Sequence, residues 1–344
     1  MKPFVSILIP AYNAEPWIAE SIQSAAAQTW PHKEIIVVND GSTDRTEEIA
    51  KQFGSKIKLV STPNRGLCAA VNLAYSLSQG DYIQELDADD ILLPDKIERQ
   101  IATIRPGDSK RILLSSPWAP FYYRTRKGRF ISNSLCRDLS PIEWLLAKMS
   151  ENLHMQNATW LVSRELAEAA GPWDEQLHYD QDGEYFDRVL LISEGVRFVP
   201  GTGVYYRVSG PNSISTIGNS NKKKDSLLLS MKLHIQYLRS VEESERVRKA
   251  CLNYLQTWYG VFYPERPDLV AEIQLLAADL KGSLQEPRLR WKYAWMKPLF
   301  GWKVAKWAQH ALPHFKGSWI RAFDGAMYRM EGSRVPTNAR TGLS

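Results

Sequence analysis

The first third of the chain alternates short apolar runs with amphipathic segments, a pattern that few folds accept. Val5-Ser6-Ile7-Leu8-Ile9, Glu34 to Val38, Lys56 to Ser61 and Asp81 to Leu86 read as strands. Glu15 to Gln28, Thr43 to Phe53 and Leu67 to Ser78 read as helices, the first with Ile18, Ile22 and Ala25–Ala26 on one face. The continuous apolar run ending in Val38 suits a parallel strand buried on both sides. Pro94 opens a further helix to Ile104, and Arg111 to Ser115 is another strand. This βαβα order predicts a mostly parallel sheet covered on both faces, with ligands outside the carboxyl ends of the strands.

Beyond residue 117 the pattern loosens. Phe121 to Ser132 reads as one or two strands, Ser140 to Lys148, Ser163 to Ala169 and Gly183 to Glu194 as helices, and Arg197–Val199 and Val204–Val208 as strands. A Gly/Ser/Asn-rich stretch over 209–225 predicts a mobile loop or boundary. The expected division is an α/β domain over 1–215 and a helical, basic, Trp-rich region over 216–344. Charge follows that division: residues 1–220 hold 22 Lys+Arg and 27 Asp+Glu, residues 221–344 hold 21 and 11. No apolar run reaches the roughly 20 residues that span a bilayer. The run Val5 to Pro10 is too short for a signal peptide, and Cys68, Cys136 and Cys251 are scattered. The expected location is cytoplasmic.

Chemistry-bearing residues fall at the predicted strand ends. After the first strand comes Pro10-Ala11-Tyr12-Asn13-Ala14-Glu15, without the Gly-x-Gly-x-x-Gly of a dinucleotide fold. Tyr12 there is either a base-stacking ring or part of a plain turn. Asp40, in Asn39-Asp40-Gly41-Ser42-Thr43-Asp44, is either an acceptor for the N–H groups of uracil or guanine or a turn residue, while Asp44 suits a helix cap. Arg65, in Asn64-Arg65-Gly66, stands at a helix start where a phosphate fits, or is an ordinary surface arginine. Leu86-Asp87-Ala88-Asp89-Asp90 follows the fourth strand. In extended backbone Asp87 and Asp89 point to one side, and a divalent cation would relieve their repulsion and hold a diphosphate.

Taken in order, these four segments resemble the family-2 glycosyltransferases of the GT-A fold, over roughly residues 3–210. The resemblance implies a nucleotide-sugar donor, UDP-linked by preference, a divalent cation (Mg²⁺ or Mn²⁺), and inversion at the anomeric carbon. It implies a donor site of Pro10, Tyr12, Glu15, Asp40, Arg65 and Asp87, with Asp89 on the metal. Gly171-Pro172-Trp173-Asp174-Glu175 resembles the family's Gly-Phe-Asp-Glu run, and Gln181-Asp182 stands where Glu-Asp is usual, which makes Asp182 the expected base. Asp180 and Glu184 are its rivals, and capping of the helix from Gly183 is a compatible second role. Arg207, in Tyr206-Arg207 before Ser213-Ile214-Ser215, is expected at the diphosphate or in a plain edge strand. His154, Gln156, Asn157, Thr159 and Trp160 lie where the family presents acceptor-facing groups. Trp160 and Trp173 are the named acceptor candidates, with burial in the core as the alternative.

The implied reaction is sugar transfer to a hydroxyl of a glycan or glycolipid in bacterial polysaccharide or envelope synthesis. Two rivals are a sugar-nucleotide nucleotidyltransferase, which needs a Gly-rich basic loop absent from Pro10–Glu15, and a non-catalytic partner protein with a retained donor site. The tail, residues 286–344, has 11 Lys+Arg, 3 Asp+Glu and five Trp. Phe300, Val304, Trp307 and Ala311 share a helical face, bounded by Pro298 and Pro313. Such a helix either lies on an anionic membrane at the inner face of the cytoplasmic membrane or packs onto the catalytic domain. Nucleic acid is not expected, for no recognition motif accompanies the charge.

Overall fold

The computed structural model describes residues 2–209, 217–218 and 220–332, with backbone only over 310–316. The chain begins β1 (Val5–Ala11), α1 (Ile18–Ala26), β2 (Lys33–Asp40), α2 (Thr46–Lys51), β3 (Lys58–Thr62), α3 (Leu67–Ser76), β4 (Tyr82–Glu85), β5 (Ile91–Leu92) and α4 (Lys96–Ala102). It continues β6 (Ile112–Ser115), β7 (Trp118–Phe121), α5 (Pro141–Glu151), β8 (Val162–Ser163), α6 (Arg164–Ala170), α7 (Gln181–Ile192), β9 (Gly195–Phe198) and β10 (Val204–Arg207). The helical remainder is α8 (Asn221–Val241), α9 (Glu245–Phe262), α10 (Pro267–Asp279), α11 (Trp291–Ala294) and α12 (Met296–Gly332).

The main sheet runs β3-β2-β1-β4-β8, parallel except for β8. Every residue of β1 is buried, as a central strand covered by helices on both faces must be. The order reverses between β1 and β4, so β1, β2 and β4 all deliver their carboxyl ends to one edge. Two small sheets, β5-β10-β7 and β6-β9, flank it. Ser140 and Ser163 cap α5 and α6, each hydroxyl accepting an N–H three residues on, with Pro141 opening α5.

Several sequence expectations shift. α2 ends at Lys51, before Phe53. Of Phe121 to Ser132, only Phe121 lies in a strand. The lysine run 222–224 belongs to α8, not to the preceding loop, and Ser213-Ile214-Ser215 lies outside the described residues. α12 runs past Pro313 to Gly332, and its one break is at Gly301, whose φ of 78° is non-helical. Leu227, Met231, Leu255, Phe262 and Ile273 from α8–α10 join the same hydrophobic core as β1 and β2. The helical region thus shares its core with the sheet.

Candidate functional site

At the end of β2, Asp40 is nearly buried and its two carboxylate oxygens accept the N–H groups of Arg65 and Gly66, both at 2.8 Å. The Asn64 amide donates back to the Asp40 carbonyl at 3.0 Å. Gly41 permits this closeness: its φ is +69°, and a Cβ there would stand 2.5 Å from the Asn64 nitrogen. Asp40 is thereby the fastening that fixes the start of α3, a role the sequence did not reveal; each oxygen keeps a second lone pair. Arg65 is exposed and pairs with Glu175 at 3.3 Å. Beside them Tyr12 projects from the end of β1 and is 50% exposed. Pro10 is buried within β1, opposite Val38, and shapes the edge without facing solvent. Glu15 accepts the Arg45 N–H at 3.2 Å while its own N–H donates to Asp44, so it braces the α1–α2 connection.

β4 ends at Glu85, and residues 87–90 form a turn closed by the Asp90 N–H on the Asp87 carbonyl at 3.1 Å. The expected extended geometry is therefore replaced by a turn, yet the charges still converge. Burial, then the neighbouring Asp89 carboxylate, pushes the Asp87 carboxyl up to about 7. Burial also raises Asp89, against a hydrogen bond from Ser209 and the nearby Arg207 charge. Asp90 is fully buried and takes the Arg207 N–H at 2.7 Å and the Gln156 amide at 2.6 Å. Asn157 donates to Asp87 at 3.2 Å.

Arg207 corrects the sequence reading. It is 1% exposed and lies between the rings of Trp17 and Phe121, at 4.1 and 4.4 Å. Its guanidinium donates to the Asp89 carbonyl, the Tyr122 carbonyl and Glu20, at 2.7, 3.1 and 2.6 Å. A guanidinium so engaged positions the aspartate turn; it does not reach out to a diphosphate. Gln156 and Asn157 brace the same turn and are not acceptor-facing.

The acidic turn fits a hard cation by the chemistry of its donors. Asp87 and Asp89 offer carboxylate oxygens whose mutual repulsion and burial a divalent ion would offset. Among the described residues no three His, Cys, Asp or Glu side chains form a ready metal cage. A Mg²⁺-type site with one or two carboxylates and oxygens from a bound phosphate suits that count.

α7 brings the third carboxylate. Asp180 precedes it with φ of 60°, and its side chain folds over the first turn, where a Cβ on Gly183 would lie 2.2 Å from its oxygen. Asp180 is held by His234 Nε2 at 2.8 Å and by the Ser230 hydroxyl at 2.9 Å. Glu184 takes Arg188 and the Tyr237 hydroxyl, both at 2.7 Å. Both rivals are occupied. Among the described residues Asp182 takes hydrogen bonds from the backbone N–H groups of its own turn, feels the charges of Asp180 and Lys148, and contributes its own negative charge to raising Asp87 and Glu85. Burial, then the Asp180 charge, pushes Asp182 up to about 6.

Behind Asp180 lies a buried network that the sequence did not signal, since its members come from α5, α7 and α8. His234 is 1% exposed, with Nδ1 2.6 Å from Asp187, which Lys148 meets at 2.7 Å. Despite burial and the Lys148 charge, Asp187 and Asp180 hold the His234 imidazolium up to about 9. A histidine raised above its unfolded value stabilises the fold fully below about 6.5 and loses that contribution as pH rises through about 9. His234→Gln should cost on the order of 3 kcal/mol near neutrality and flatten the alkaline fall in melting temperature. Thermal unfolding from pH 6 to 10 measures both; an unchanged alkaline limb would remove the charge from His234.

Trp160 and Trp173 are core residues, 1% and 4% exposed, and not acceptor-facing. Trp160 stacks on Phe186 and Trp173 on Tyr185, while the Trp173 indole N–H donates to Glu85 at 3.1 Å. Thr159 is likewise buried; within the sequence's acceptor group only His154 is exposed. A groove of about 530 Å³ beneath α12, lined in part by Glu20, Tyr123, Arg124 and Tyr328, includes none of Asp87, Asp89 and Asp182.

Residues 6–129, which span Tyr12, Asp40, Arg65 and the aspartate turn, match Glycosyl transferase family 2. An uncharacterized glycosyltransferase of Rickettsia typhi is 31% identical over 226 residues, covering 66% of this chain and 70% of its own. The chain belongs to glycosyltransferase family 2. It spans 29% to 70% of the length of its Rickettsia relatives. Among solved structures, S. aureus TarS 1-349 in complex with UDP-GlcNAc is 17% identical with a TM-score of 0.63, covering 89% of this family member and 91% of TarS 1-349. The mannosyltransferase PcManGT from Pyrobaculum calidifontis, in complex with GDP-Man and Mn²⁺, is 16% identical with a TM-score of 0.51, covering 94% and 85%. Both share the GT-A-type fold at those levels of identity.

Proposed function

We propose that this protein moves a sugar from a nucleotide-sugar, UDP-linked by preference, to a hydroxyl of a glycan or glycolipid acceptor, with inversion. The carrying observation is the convergence of Asp87, Asp89 and Asp182, from two separate elements, at the edge where Tyr12 stands exposed. Tyr12 stacks on the base, with Arg65 beside it at the α3 start. Asp89, with Asp87 adjacent, holds the divalent cation, which when bound neutralises charge on the departing diphosphate. Asp182 removes the acceptor hydroxyl proton in a single displacement, so one carboxylate base suffices. The complexes of TarS with UDP-GlcNAc and of PcManGT with GDP-Man and Mn²⁺ support a nucleotide-sugar and a divalent ion as the species to try first. The natural setting of such a reaction is bacterial polysaccharide or envelope glycan assembly.

Thermal shift with UDP-, GDP- and dTDP-sugars, with and without Mn²⁺, tests this, because a ligand that binds only the folded chain raises its melting temperature. A rise with UDP-sugars that Mn²⁺ enlarges is expected; no rise with any of them would sink the reading. Tyr12→Ala should weaken UDP binding by roughly 1–3 kcal/mol, the worth of one base–aromatic stack, and leave the melting temperature of the free chain unchanged. Titration calorimetry reads the difference, and unaltered affinity would place the base elsewhere.

A further inference from the structure

The tail presents a surface that the catalytic site does not use. Trp291, Trp295, Leu299, Phe300, Val304 and Trp307 are 42% to 82% exposed. Isolated apolar residues on a surface are ordinary, but three tryptophans and a phenylalanine within one short stretch are not. Between Pro287 and Gln309 there are six Lys or Arg and no Asp or Glu. Lys297 pairs with Glu286 and Lys306 with Glu265, while Arg290, Lys292 and Lys303 form no ion pair among the described residues.

The segment is held in place. The break at Gly301 turns the chain, and the Arg290 N–H donates to the Gln309 side chain at 2.6 Å, folding α11 back beside α12. Ala305 and Ala308 are buried, and Lys306 donates to the Tyr263 carbonyl at 2.6 Å. Further along α12, Asp324 accepts the Tyr123 N–H and the Arg124 guanidinium at 3.0 and 2.6 Å. The Tyr328 hydroxyl donates to Glu20, the same carboxylate that takes Arg207 beneath the aspartate turn. Packing and exposure therefore coexist: one side of the tail is clamped to the catalytic body, and another keeps its aromatic rings in solvent.

We propose that the segment from Arg290 to Trp307 docks on an anionic lipid bilayer, with its tryptophans at the headgroup level and its lysines on the lipid phosphates. Charge decides the occupant. Lysines interleaved among the rings would be stripped of water at the centre of a protein interface, where they are depleted. At a bilayer surface the ammonium groups stay hydrated among anionic headgroups, and indole rings favour that depth. No helix among the described residues is long and apolar enough to cross a membrane, so the segment lies on the surface. Only the relevance to a lipid-linked acceptor rests on the proposed reaction; the docking does not.

Flotation of the full chain with phosphatidylcholine vesicles, with and without phosphatidylglycerol, tests the surface. Flotation with the anionic vesicles alone, weakened by salt, is expected. The combined variant Trp291→Ala/Trp295→Ala/Phe300→Ala/Trp307→Ala should lose at least about tenfold in binding, as should Lys292→Glu/Lys303→Glu. Both variants should keep native circular dichroism and the same thermal shift with UDP-sugar, since none of these residues touches the site. Absence of flotation with either vesicle overturns the proposal, as does equal flotation of the charge-reversed chain. So does a dimer in sedimentation that the aromatic variant abolishes while vesicles are ignored. Flotation without any donor binding would support the docking and sink the transferase reading instead.

Discussion

Asp182→Asn lowers turnover by at least ~10², while UDP affinity stays within about twofold of the unchanged chain. The amide keeps the shape of the side chain and its place at the start of α7, but it cannot accept a proton from an attacking hydroxyl. Neither neighbour can take over. Asp180 is bound by His234 and Ser230, and Glu184 by Arg188 and Tyr237. The same assignment fixes a pH dependence. A general base works ionised, and Asp182 is raised from the usual aspartate value to about 6 by burial and by the Asp180 charge. Activity should therefore fall as pH drops through about 6, not through 4. The groups facing Asp182 are Asp180 on its own chain segment, Lys148 from α5, Glu85 at the end of β4 and Asp87 just beyond it. His234→Gln removes the cation that compensates Asp180, so the acid limb should move upward in that variant. Steady-state kcat and kcat/KM across pH 4.5 to 8 read both effects. Full kcat in Asp182→Asn, or loss of UDP binding along with turnover, would remove Asp182 as the base.

What the sequence disclosed, and what it concealed, divides by the range of the interaction. The β1–β4 strands and the α1 and α3 helices were legible because their apolar residues repeat locally and fix which face is buried. The edge positions of Tyr12, Asp40 and Asp87 followed from those strands. The jobs of individual side chains did not follow where partners lie far along the chain. Arg207 has the residue type of a phosphate ligand, but Trp17, Glu20 and Phe121 enclose it from three distant segments. Trp160 and Trp173 have the residue type of sugar-stacking rings, but α7 supplies Tyr185 and Phe186 to cover them. The His234 network escapes altogether, because Lys148, Asp187 and His234 lie 39 and then 47 residues apart and show no common spacing. Pro313 marked the end of a helix by local rules, yet α12 passes through it, with its flanks anchored by Ala308 on one side and Asp324 on the other.

Asp89→Ala should abolish both sugar transfer and metal-dependent hydrolysis of the donor, and it should do so without destabilising the free chain. The second half of that expectation separates a metal ligand from a structural residue. In the unliganded fold the Asp89 charge acts against Asp87, whose carboxyl it helps to raise to about 7. Removing it relieves that repulsion, and the link that holds the turn survives, because Arg207 donates to the Asp89 carbonyl and not to its carboxylate. The hydrogen bond from Ser209, one from its own backbone N–H and the attraction of Arg207 go with the carboxylate, but burial outweighs them and holds the carboxyl above its usual value, and the Asp89 charge also acts against Asp90; a single such hydrogen bond is worth about 1 kcal/mol. The melting temperature of the ligand-free variant should therefore be equal to or above that of the unchanged chain, while the extra rise produced by Mn²⁺ together with a UDP-sugar disappears. Such a residue is retained against the preference of the empty fold, as expected of a group whose partner arrives with the substrate. Arg207→Lys makes the contrast: a lysine cannot span the Asp89 carbonyl, the Tyr122 carbonyl and Glu20 at once, so it should lower the melting temperature and weaken the metal-dependent shift together. If Asp89→Ala instead behaved like Arg207→Lys, losing several degrees in the absence of any ligand, the aspartate would be part of the scaffold and the cation would have to be held by other oxygens.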